Sequence, residues 1–250
     1  MGRLQRSESE LARRLLGLMD LTSLNPEDTE ASVAALAALA STPAGRVAAV
    51  CVWPRFIGAA LRALAGTGVP VAAVANFPAG GADIPPAAAE TAAAIAAGAD
   101  EVDVVFPYRA LLAGDETSGL ELVRACRAAC GERGLLKVIL ETGQLDSSAR
   151  IRRAAEIAVE GGAQFLKTST GKTQPAATLP AAAVLLEVVA AERDRRRAVG
   201  LKPSGGLSRM VDAEAYLDLY EDRFGPGSAT PANFRLGASS LIHPVLAALR

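Results

Sequence analysis

"FLKTSTGKTQPAATLPAAAVLLEVVAAERDRRRAVGLKPSGG" (residues 165–206) contains one full repeat of the pattern that runs through this sequence. A short apolar run carrying a lysine ends in a glycine turn at 165–171, and a segment with apolar residues at helical spacing follows over 179–196. A second short run, again with a lysine and a glycine turn, occupies 200–206. This order predicts two parallel strands joined by a crossover helix.

The same alternation continues in both directions along the chain and gives eight candidate strands. Their predicted ranges are 19–24, 48–54, 71–78, 101–107, 137–143, 165–171, 200–206 and 234–240. Ala-rich amphipathic segments separate them, and an extra N-terminal helix is predicted within residues 1–20. Eight strand-helix repeats in 250 residues match a closed α/β barrel of the (β/α)8 type better than an open doubly wound sheet. No long Pro-, Ser- or Gly-rich linker divides the chain, so one barrel domain over 1–250 is expected.

Charge and cysteine content argue against several classes of function. The sequence has 26 Lys and Arg against 27 Asp and Glu, a net charge of -1, so no broad field attracts nucleic acid or an anionic membrane. Three cysteines and no recognisable secretory leader suggest reduced thiols and a cytoplasmic location. Cys126 and Cys130 lie one helical turn apart, but no second Cys or His pair accompanies them, so we expect a structural role and no metal.

Polar side chains stand near the predicted carboxyl ends of the strands, where a barrel of this kind carries its functional face. They are Asp20, Asn76, Asp103, Lys137, Glu141, Lys167, Lys202, Ser239 and Ser240. Alternate residues of a strand face the barrel interior, so Asp103, Lys167 and Lys202 are all able to point inward and meet.

Lys167 and Lys202 end neighbouring strands, which brings two ammonium groups together. Each disfavours protonation of the other, and burial acts in the same direction, so one lysine is expected to be a free amine near neutral pH. A free lysine amine attacks a carbonyl to form an imine, and Asp103 is a candidate proton carrier beside it. A purely structural network of ion pairs explains the same charge placement equally well.

Glycine turns after the last three strands favour the catalytic interpretation. In late strands of such barrels, turns with free backbone N–H groups commonly bind phosphate. The residues concerned are Gly171, Lys172, Gly205, Gly206, Gly237, Ser239 and Ser240. They indicate a small phosphorylated substrate.

Six segments taken together resemble the deoxyribose-phosphate aldolases, in that family's order and spacing. They are "LMDLTSLN", "EVDVVFPYRALLAG", "LLKVILETG", "FLKTSTGK", "GLKPSGG" and "RLGASSL". The resemblance covers about residues 14–250. It implies a (β/α)8 barrel that reversibly cleaves 2-deoxy-D-ribose 5-phosphate into D-glyceraldehyde 3-phosphate and acetaldehyde.

The same resemblance assigns roles to individual residues. It makes Lys167 the imine-forming residue, Lys202 the neighbour that lowers its pKa, and Asp103 the proton relay. It places the phosphate on the glycine loops described above. Independently of the resemblance, Asp20 ends the first predicted strand, where it is a candidate partner of a substrate hydroxyl, and an N-cap or a strand-end ion pair fits equally well. It implies no metal or organic cofactor, and a homo-oligomer, most simply a dimer, is expected.

The sequence departs from the family in one respect. Many members carry a tail ending in a tyrosine that assists proton transfer, whereas the last tyrosine here is Tyr220. We therefore expect Asp103 and water to handle protonation. Lys137 and Glu141 either tune the site or neutralise one another, and His243 is expected to serve local structure.

Two other functions remain compatible with these residues. One is a sugar-phosphate binding barrel without catalytic activity. The other is a different imine-forming aldolase or transaldolase on the same scaffold.

Overall fold

A computed structural model describes residues 6–195 and 198–250 of the chain. Eight short strands form its centre. They are β1 (Met19–Thr22), β2 (Ala49–Val52), β3 (Val71–Ala75), β4 (Glu101–Val105), β5 (Leu135–Ile139), β6 (Phe165–Lys167), β7 (Gly200–Lys202) and β8 (Leu236–Ala238). The α-helices around them are α1 (Glu8–Leu18), α2 (Glu30–Ala40), α3 (Ile57–Ala63), α4 (Ile84–Ala96), α5 (Tyr108–Leu112), α6 (Thr117–Cys130), α7 (Ser148–Glu160), α8 (Leu179–Asp194), α9 (Met210–Phe224) and α10 (Ile242–Ala247).

The strands run parallel and close into a barrel, as predicted. β8 pairs with β1, and each of the strands from β1 to β6 pairs with the next one along the chain. The remaining gap between β7 and β8 is bridged in parallel at Leu201–Phe234 and Ser204–Gly237. Three backbone hydrogen bonds complete that seam, from Leu201 N to Asn233 O at 3.0 Å, from Arg235 N to Leu201 O at 3.0 Å and from Gly237 N to Pro203 O at 2.8 Å.

Apolar side chains fill two separate regions. The larger core lies between the strands and the surrounding helices and includes Val50, Val104, Leu166 and Leu236, all completely buried. A small second cluster consists of Leu24, Cys51, Ala72 and Val74. Alternation along β2 and β3 separates the two sets, because Val50 and Ala73 belong to the larger core while Cys51 and Val74 belong to the smaller one.

The helix α1 precedes the barrel, as predicted from the N-terminal sequence. Ser7 caps it in a reciprocal arrangement in which Glu10 N donates to Ser7 Oγ and Ser7 N donates to Glu10 Oε2. Arg14 pairs with Glu221 of α9 at 2.5 Å, which ties α1 to the helix before the last strand. Residues 1–5 of the predicted helical stretch lie outside the described residues, as does residue 196 of the predicted crossover helix.

The predicted strands are in the right places but too long. β6 ends at Lys167 rather than at 171, and β7 ends at Lys202 rather than at 206. Side chains replace the ladder there, since Ser204 N donates to Thr168 Oγ1 at 3.0 Å. A two-stranded hairpin (Ser41–Thr42 with Gly45–Arg46) and α5 were not predicted, because both are too short to show a periodicity.

Two remaining features concern the helices. Cys126 and Cys130 are free thiols buried on the inner face of α6, in the larger core. In the described part of the chain, no helix combines the length and the apolar character needed to cross a membrane.

Candidate active site

The sequence contains four lysines, and all of them lie on β5, β6, β7 or the loop that follows β6. Lys137, Lys167 and Lys202 are buried inside the barrel, whereas Lys172 is exposed at its rim. Strand register accounts for the arrangement, because Lys167 lies directly beside Lys202 and Lys137 directly beside Asp103. The sequence thus brings three amines to one place.

Asp103 on β4 is the hub that these three amines share. Lys137 Nζ donates to Asp103 Oδ1 at 2.8 Å. Lys167 Nζ and Lys202 Nζ both donate to Asp103 Oδ2, at 2.8 Å and 2.7 Å. Asp103, Lys167 and Lys202, the three residues predicted to carry the chemistry, therefore meet on one carboxylate.

Two further acidic residues and one arginine also belong to this cluster. Lys202 Nζ lies 2.5 Å from Asp20 Oδ2, and Lys137 Nζ lies 2.5 Å from Glu101 Oε2. Both contacts are ion pairs without the angle of a hydrogen bond. The guanidinium of Arg235 donates to Asp20 Oδ1 at 2.6 Å and to Glu101 Oε1 at 3.0 Å. Asp20 is thus completely buried within the charged cluster.

The same surroundings push the pKa values of the lysines in opposite directions. Burial lowers the pKa of Lys167 below its ordinary value, and the charge of Lys202 adds to this against the attraction of Asp103. Burial also lowers the pKa of Lys202, but Asp103 and Asp20 outweigh it, so the pKa of Lys202 is raised. Three carboxylates outweigh burial at Lys137 in the same way and hold its pKa well above its ordinary value. Lys167 is accordingly the amine that gives up its proton most easily.

The hub itself stays ionised. Burial raises the pKa of the Asp103 carboxyl, but the charges of Lys137, Lys167 and Lys202 outweigh it, and the pKa lies well below its ordinary value. A buried carboxylate that is ionised and shared by several ammonium groups favours the charged form of the neighbours it contacts best. It can also pass a proton between them.

A cavity of about 330 Å³ opens beside the cluster at the carboxyl ends of the strands. All seven residues of the predicted phosphate loops line it: Gly171, Lys172, Gly205, Gly206, Gly237, Ser239 and Ser240. Gly237 connects the cavity to the lysines, since a Cβ atom placed there would lie 3.2 Å from Lys202 Cε. Thr22, Thr170, Ser204 and Ser208 also line the cavity.

Left-handed backbone shapes the loops around this cavity. Gly171, Gly205 and Gly206 have φ values of 77°, 95° and 80°, which a residue with a side chain rarely adopts. A Cβ atom on Gly205 would also lie 3.1 Å from Gly171 Cα, so the two loops approach each other closely. Both the strained φ and the close approach require glycine.

Glu141 holds the loop after β6 in place through hydrogen bonds. Its carboxylate accepts hydrogen bonds from Thr170 N at 3.2 Å and from Thr170 Oγ1 at 2.6 Å. Thr170 Oγ1 in turn accepts from Lys172 N at 3.0 Å, and Lys172 Nζ donates to Leu24 O at 2.7 Å. Lys137 pairs with Glu101, Asp103 and Asp20, so of the two alternatives for Lys137 and Glu141 the structure does not show the one in which they neutralise each other.

Three other polar candidates have local roles or lie elsewhere. The side-chain amide of Asn76 donates to Gly81 O and Val105 O, which holds the loop after β3. His243 is exposed at the start of α10, and its backbone N–H donates to Ser240 O at 3.2 Å. Burial raises the pKa of the Cys51 thiol to about 11, so it stays uncharged beside the lysines.

Within residues 6–195 and 198–250 no group of His, Cys, Asp or Glu is placed to hold a metal ion.

Sequence reasoning missed Arg235 and Glu101 as members of the cluster. The signal was present, because Glu101 lies two residues before Asp103 and Arg235 two residues before Gly237. Residues two apart in a strand share a face, so both had to point into the barrel.

Comparison with known proteins identifies the family and the fold of the chain. The family model described as DeoC/LacD family aldolase matches residues 14–221. A crystal structure from Toxoplasma gondii ME49, assigned as a deoxyribose-phosphate aldolase, has 27% identity and a TM-score of 0.88, with 97% of this chain and 95% of that chain covered. One from Coccidioides immitis with the same assignment has 28% identity and a TM-score of 0.82, with 95% and 86% covered. The deoxyribose phosphate aldolase of Aeropyrum pernix, a tetramer, shares the fold at 24% identity and a TM-score of 0.73, with 96% and 92% covered.

Proposed function

Because the chain belongs to the DeoC/LacD family of aldolases, we propose that it cleaves 2-deoxy-D-ribose 5-phosphate reversibly into D-glyceraldehyde 3-phosphate and acetaldehyde. The observation that carries the proposal is Lys167, a buried amine with a lowered pKa, held beside a cavity lined by glycine loops. The whole chain, residues 1–250, would act as one catalytic barrel. The dimeric state and the cytoplasmic location remain predictions.

The first step is formation of an imine on Lys167. The uncharged nitrogen attacks the aldehyde carbon of the open-chain sugar, and loss of water leaves a protonated imine. Removal of the proton from the C3 hydroxyl then breaks the C2–C3 bond. Glyceraldehyde 3-phosphate leaves, and the electron pair remains on Lys167 as an enamine.

The second half returns the enzyme to its starting state. A proton added to the terminal enamine carbon gives the imine of acetaldehyde, and water hydrolyses it to release acetaldehyde and the free amine. Asp103 Oδ2 touches both Lys167 and Lys202, so it can pass protons between Lys202, water and the reacting atoms. Lys202 stays protonated and favours the uncharged form of Lys167.

The glycine loops are the proposed seat of the substrate phosphate. Gly171, Gly205 and Gly206 leave backbone N–H groups uncovered by side chains, and Lys172 adds a positive charge at the rim. The phosphate would anchor the sugar so that its carbonyl carbon points toward Lys167. Binding of the remote phosphate can thus be used to orient the reacting end.

Trapping of the imine tests the chemistry directly. Acetaldehyde followed by borohydride should add one ethyl group to the wild-type chain, and peptide mapping should place it on Lys167. Lys167→Ala should show no adduct and no turnover. A wild-type chain that binds the sugar phosphate without forming an adduct would support a non-catalytic binding barrel instead, and an adduct only with another carbonyl compound would indicate a different aldolase.

Lys202→Leu tests the activation of the nucleophile. Removal of a neighbouring positive charge raises the pKa of Lys167, so turnover at neutral pH should fall by about a hundredfold or more. Circular dichroism should show the wild-type fold. A nearly fully active Lys202→Leu variant would contradict the proposed activation.

A further inference from the structure

The buried cluster contains more basic than acidic groups. Among the described residues it joins four basic side chains, Lys137, Lys167, Lys202 and Arg235, to three acidic ones, Asp20, Glu101 and Asp103. The five side chains other than Arg235 and Glu101 are each at most 2% exposed. A net charge in such surroundings is costly, so the cluster gains by losing one proton.

Arg235 cannot be the group that loses it. A guanidinium keeps its charge throughout the accessible pH range. Here it occupies Asp20 Oδ1 and Glu101 Oε1 and also donates to Pro231 O. Its charge is therefore fixed, and the surplus has to be relieved at one of the lysines.

The contacts of the lysines identify which one. Lys137 lies within ion-pair distance of three carboxylates, those of Asp20, Glu101 and Asp103. Lys202 reaches two, those of Asp20 and Asp103. Among the described residues, Lys167 reaches Asp103 alone, through an oxygen that Lys202 also uses. Lys167 has the least to lose as an uncharged amine.

We propose that Arg235 is a positioning residue that keeps Lys167 uncharged by supplying the fourth positive charge of the cluster. It lies on the far side of the cluster from the cavity that the glycine loops line. It acts through Asp20 and Glu101. Arg235 binds one oxygen of each carboxylate, so only the other oxygen of each pairs with a lysine. The inference concerns the amine that the proposed function uses as its nucleophile, and it rests on that function for its catalytic meaning.

The charged and titratable groups around Lys167 show why its protonation depends on Arg235. Asp103 on β4 and Lys202 on β7 act on it electrostatically, and Lys137 on β5 lies behind Asp103. Asp20 on β1 and Glu101 on β4 complete the set. The Cys51 thiol stays neutral because its pKa is about 11. Without Arg235 the cluster would hold three amines and three carboxylates, and every amine could be protonated without surplus charge.

A lysine titration tests this without any need for turnover. Since the sequence has four lysines, a chain labelled with 15N at lysine Nζ or 13C at lysine Cε gives four signals, and Lys167→Ala identifies one of them. In the wild-type chain the Lys167 signal should titrate at a lower pH than those of Lys137 and Lys202. In Arg235→Ala it should move up by about one pH unit or more, which cuts the uncharged fraction at neutral pH by about tenfold.

Two variants separate charge from packing. Arg235→Lys keeps the positive charge and should titrate close to the wild-type chain, whereas a merely structural role would shift Arg235→Lys and Arg235→Ala alike. Arg46 lies on the wall of the same cavity as Arg235, at the amino-terminal end of the barrel, and donates to Thr67 O and Gly68 O. Arg46→Ala therefore removes a charge from that cavity but not from the cluster, and it should leave Lys167 unchanged.

The position of Arg235 also allows chemical rescue. A cavity of about 450 Å³ borders the residue, so a guanidinium ion can enter the space that Arg235→Ala leaves. Millimolar guanidinium chloride should return the Lys167 titration toward the wild-type value, and urea, which has a similar shape but no charge, should not.

Three results would overturn the inference: an unchanged Lys167 titration in Arg235→Ala, an equal shift in Arg46→Ala, or equal rescue by urea. Absence of an acetaldehyde adduct in the wild-type chain would defeat the proposed function alone. The titration would still decide the role of Arg235.

Discussion

Glu141 illustrates how one residue can act on the site without touching the reacting atoms. It is completely buried with a left-handed backbone (φ 53°), and its carboxylate holds Thr170, which holds the backbone of Lys172. The charge of Glu141 thus fixes the loop on which the proposed phosphate would rest. Its effect should appear in substrate binding rather than in the chemical steps.

Glu141→Gln should raise the KM for deoxyribose 5-phosphate by about fivefold, because a hydrogen bond to a neutral group is weaker by about 1 kcal/mol than one to a carboxylate. The kcat should change little. Cleavage of deoxyribose without its phosphate serves as the control and should be unaffected. An equal loss of kcat with both sugars would instead place Glu141 in proton transfer.

For single residues, the sequence predicts which side chains face the barrel interior, but not which carboxylate each basic side chain contacts. Lys167, Lys202 and Asp103 were predictable because each lies on a strand and faces inward, with Lys167 and Lys202 at the ends of their strands. The surplus of positive charge was not, since it requires knowing that Arg235 reaches both Asp20 on the neighbouring strand and Glu101 on β4 across the barrel. Alternation assigns a face to a residue, whereas the reach of a long side chain depends on the tertiary structure.

The loops after β5 and β6 pack against each other more closely than any pair of side chains would allow. A Cβ atom on Gly143 would lie 1.7 Å from Pro175 O, and Gln144 Nε2 donates to Gln174 O at 3.0 Å. Because the loop that carries Gly171 and Lys172 ends near Pro175, a shift there would widen the proposed phosphate seat. The two loops therefore function as one unit.

Gly143→Ala should lower the free energy of unfolding by about 1–3 kcal/mol, as overpacking does elsewhere, and raise the KM for the phosphorylated sugar. Gly17→Ala is the matched control. A Cβ atom there has no atom within 4 Å, and the residue lies inside α1, so the same substitution should stabilise the fold by about 0.5–1 kcal/mol. Urea unfolding of both variants measures the difference, and a neutral Gly143→Ala would show that the loops move independently.

The order of strands and helices was predictable from alternation, but the ends of the strands were not. After Lys167 the hydroxyls of Thr168 and Thr170 bond to Ser204 and Glu141 in place of a neighbouring strand. Such bonds join residues far apart in sequence. No local pattern of apolar residues could therefore mark the point where β6 stops.

Across the whole barrel, the charged cluster couples folding to pH. Asp103 and Asp20 have pKa values below those of an unfolded chain, because the surrounding Lys and Arg charges outweigh burial. Their contribution to stability is therefore complete above about pH 4 and is lost as the pH falls below it, since the unfolded chain then binds protons that the folded one does not.

Asp103→Asn should remove part of this acid sensitivity and lower the free energy of unfolding at neutral pH by about 3–5 kcal/mol, because the ammonium groups of Lys137 and Lys202 lose their shared partner. Urea unfolding at about pH 3 and about pH 7 provides the measurement. Asp146, an exposed acid paired with Arg150, supplies the control, and Asp146→Asn should change either value by less than about 0.5 kcal/mol. Equal stability of Asp103→Asn and the wild-type chain at neutral pH would contradict a hub role.

The placement of all four lysines around one end of the barrel has a practical consequence. Reagents that target side-chain amines find Lys172 as the exposed lysine, at the rim of the cavity, while the outer helices carry arginine. Attachment to an amine-reactive resin would turn the mouth of the enzyme toward the support and block entry. Coupling through carboxylates on the outer helices would leave the mouth open.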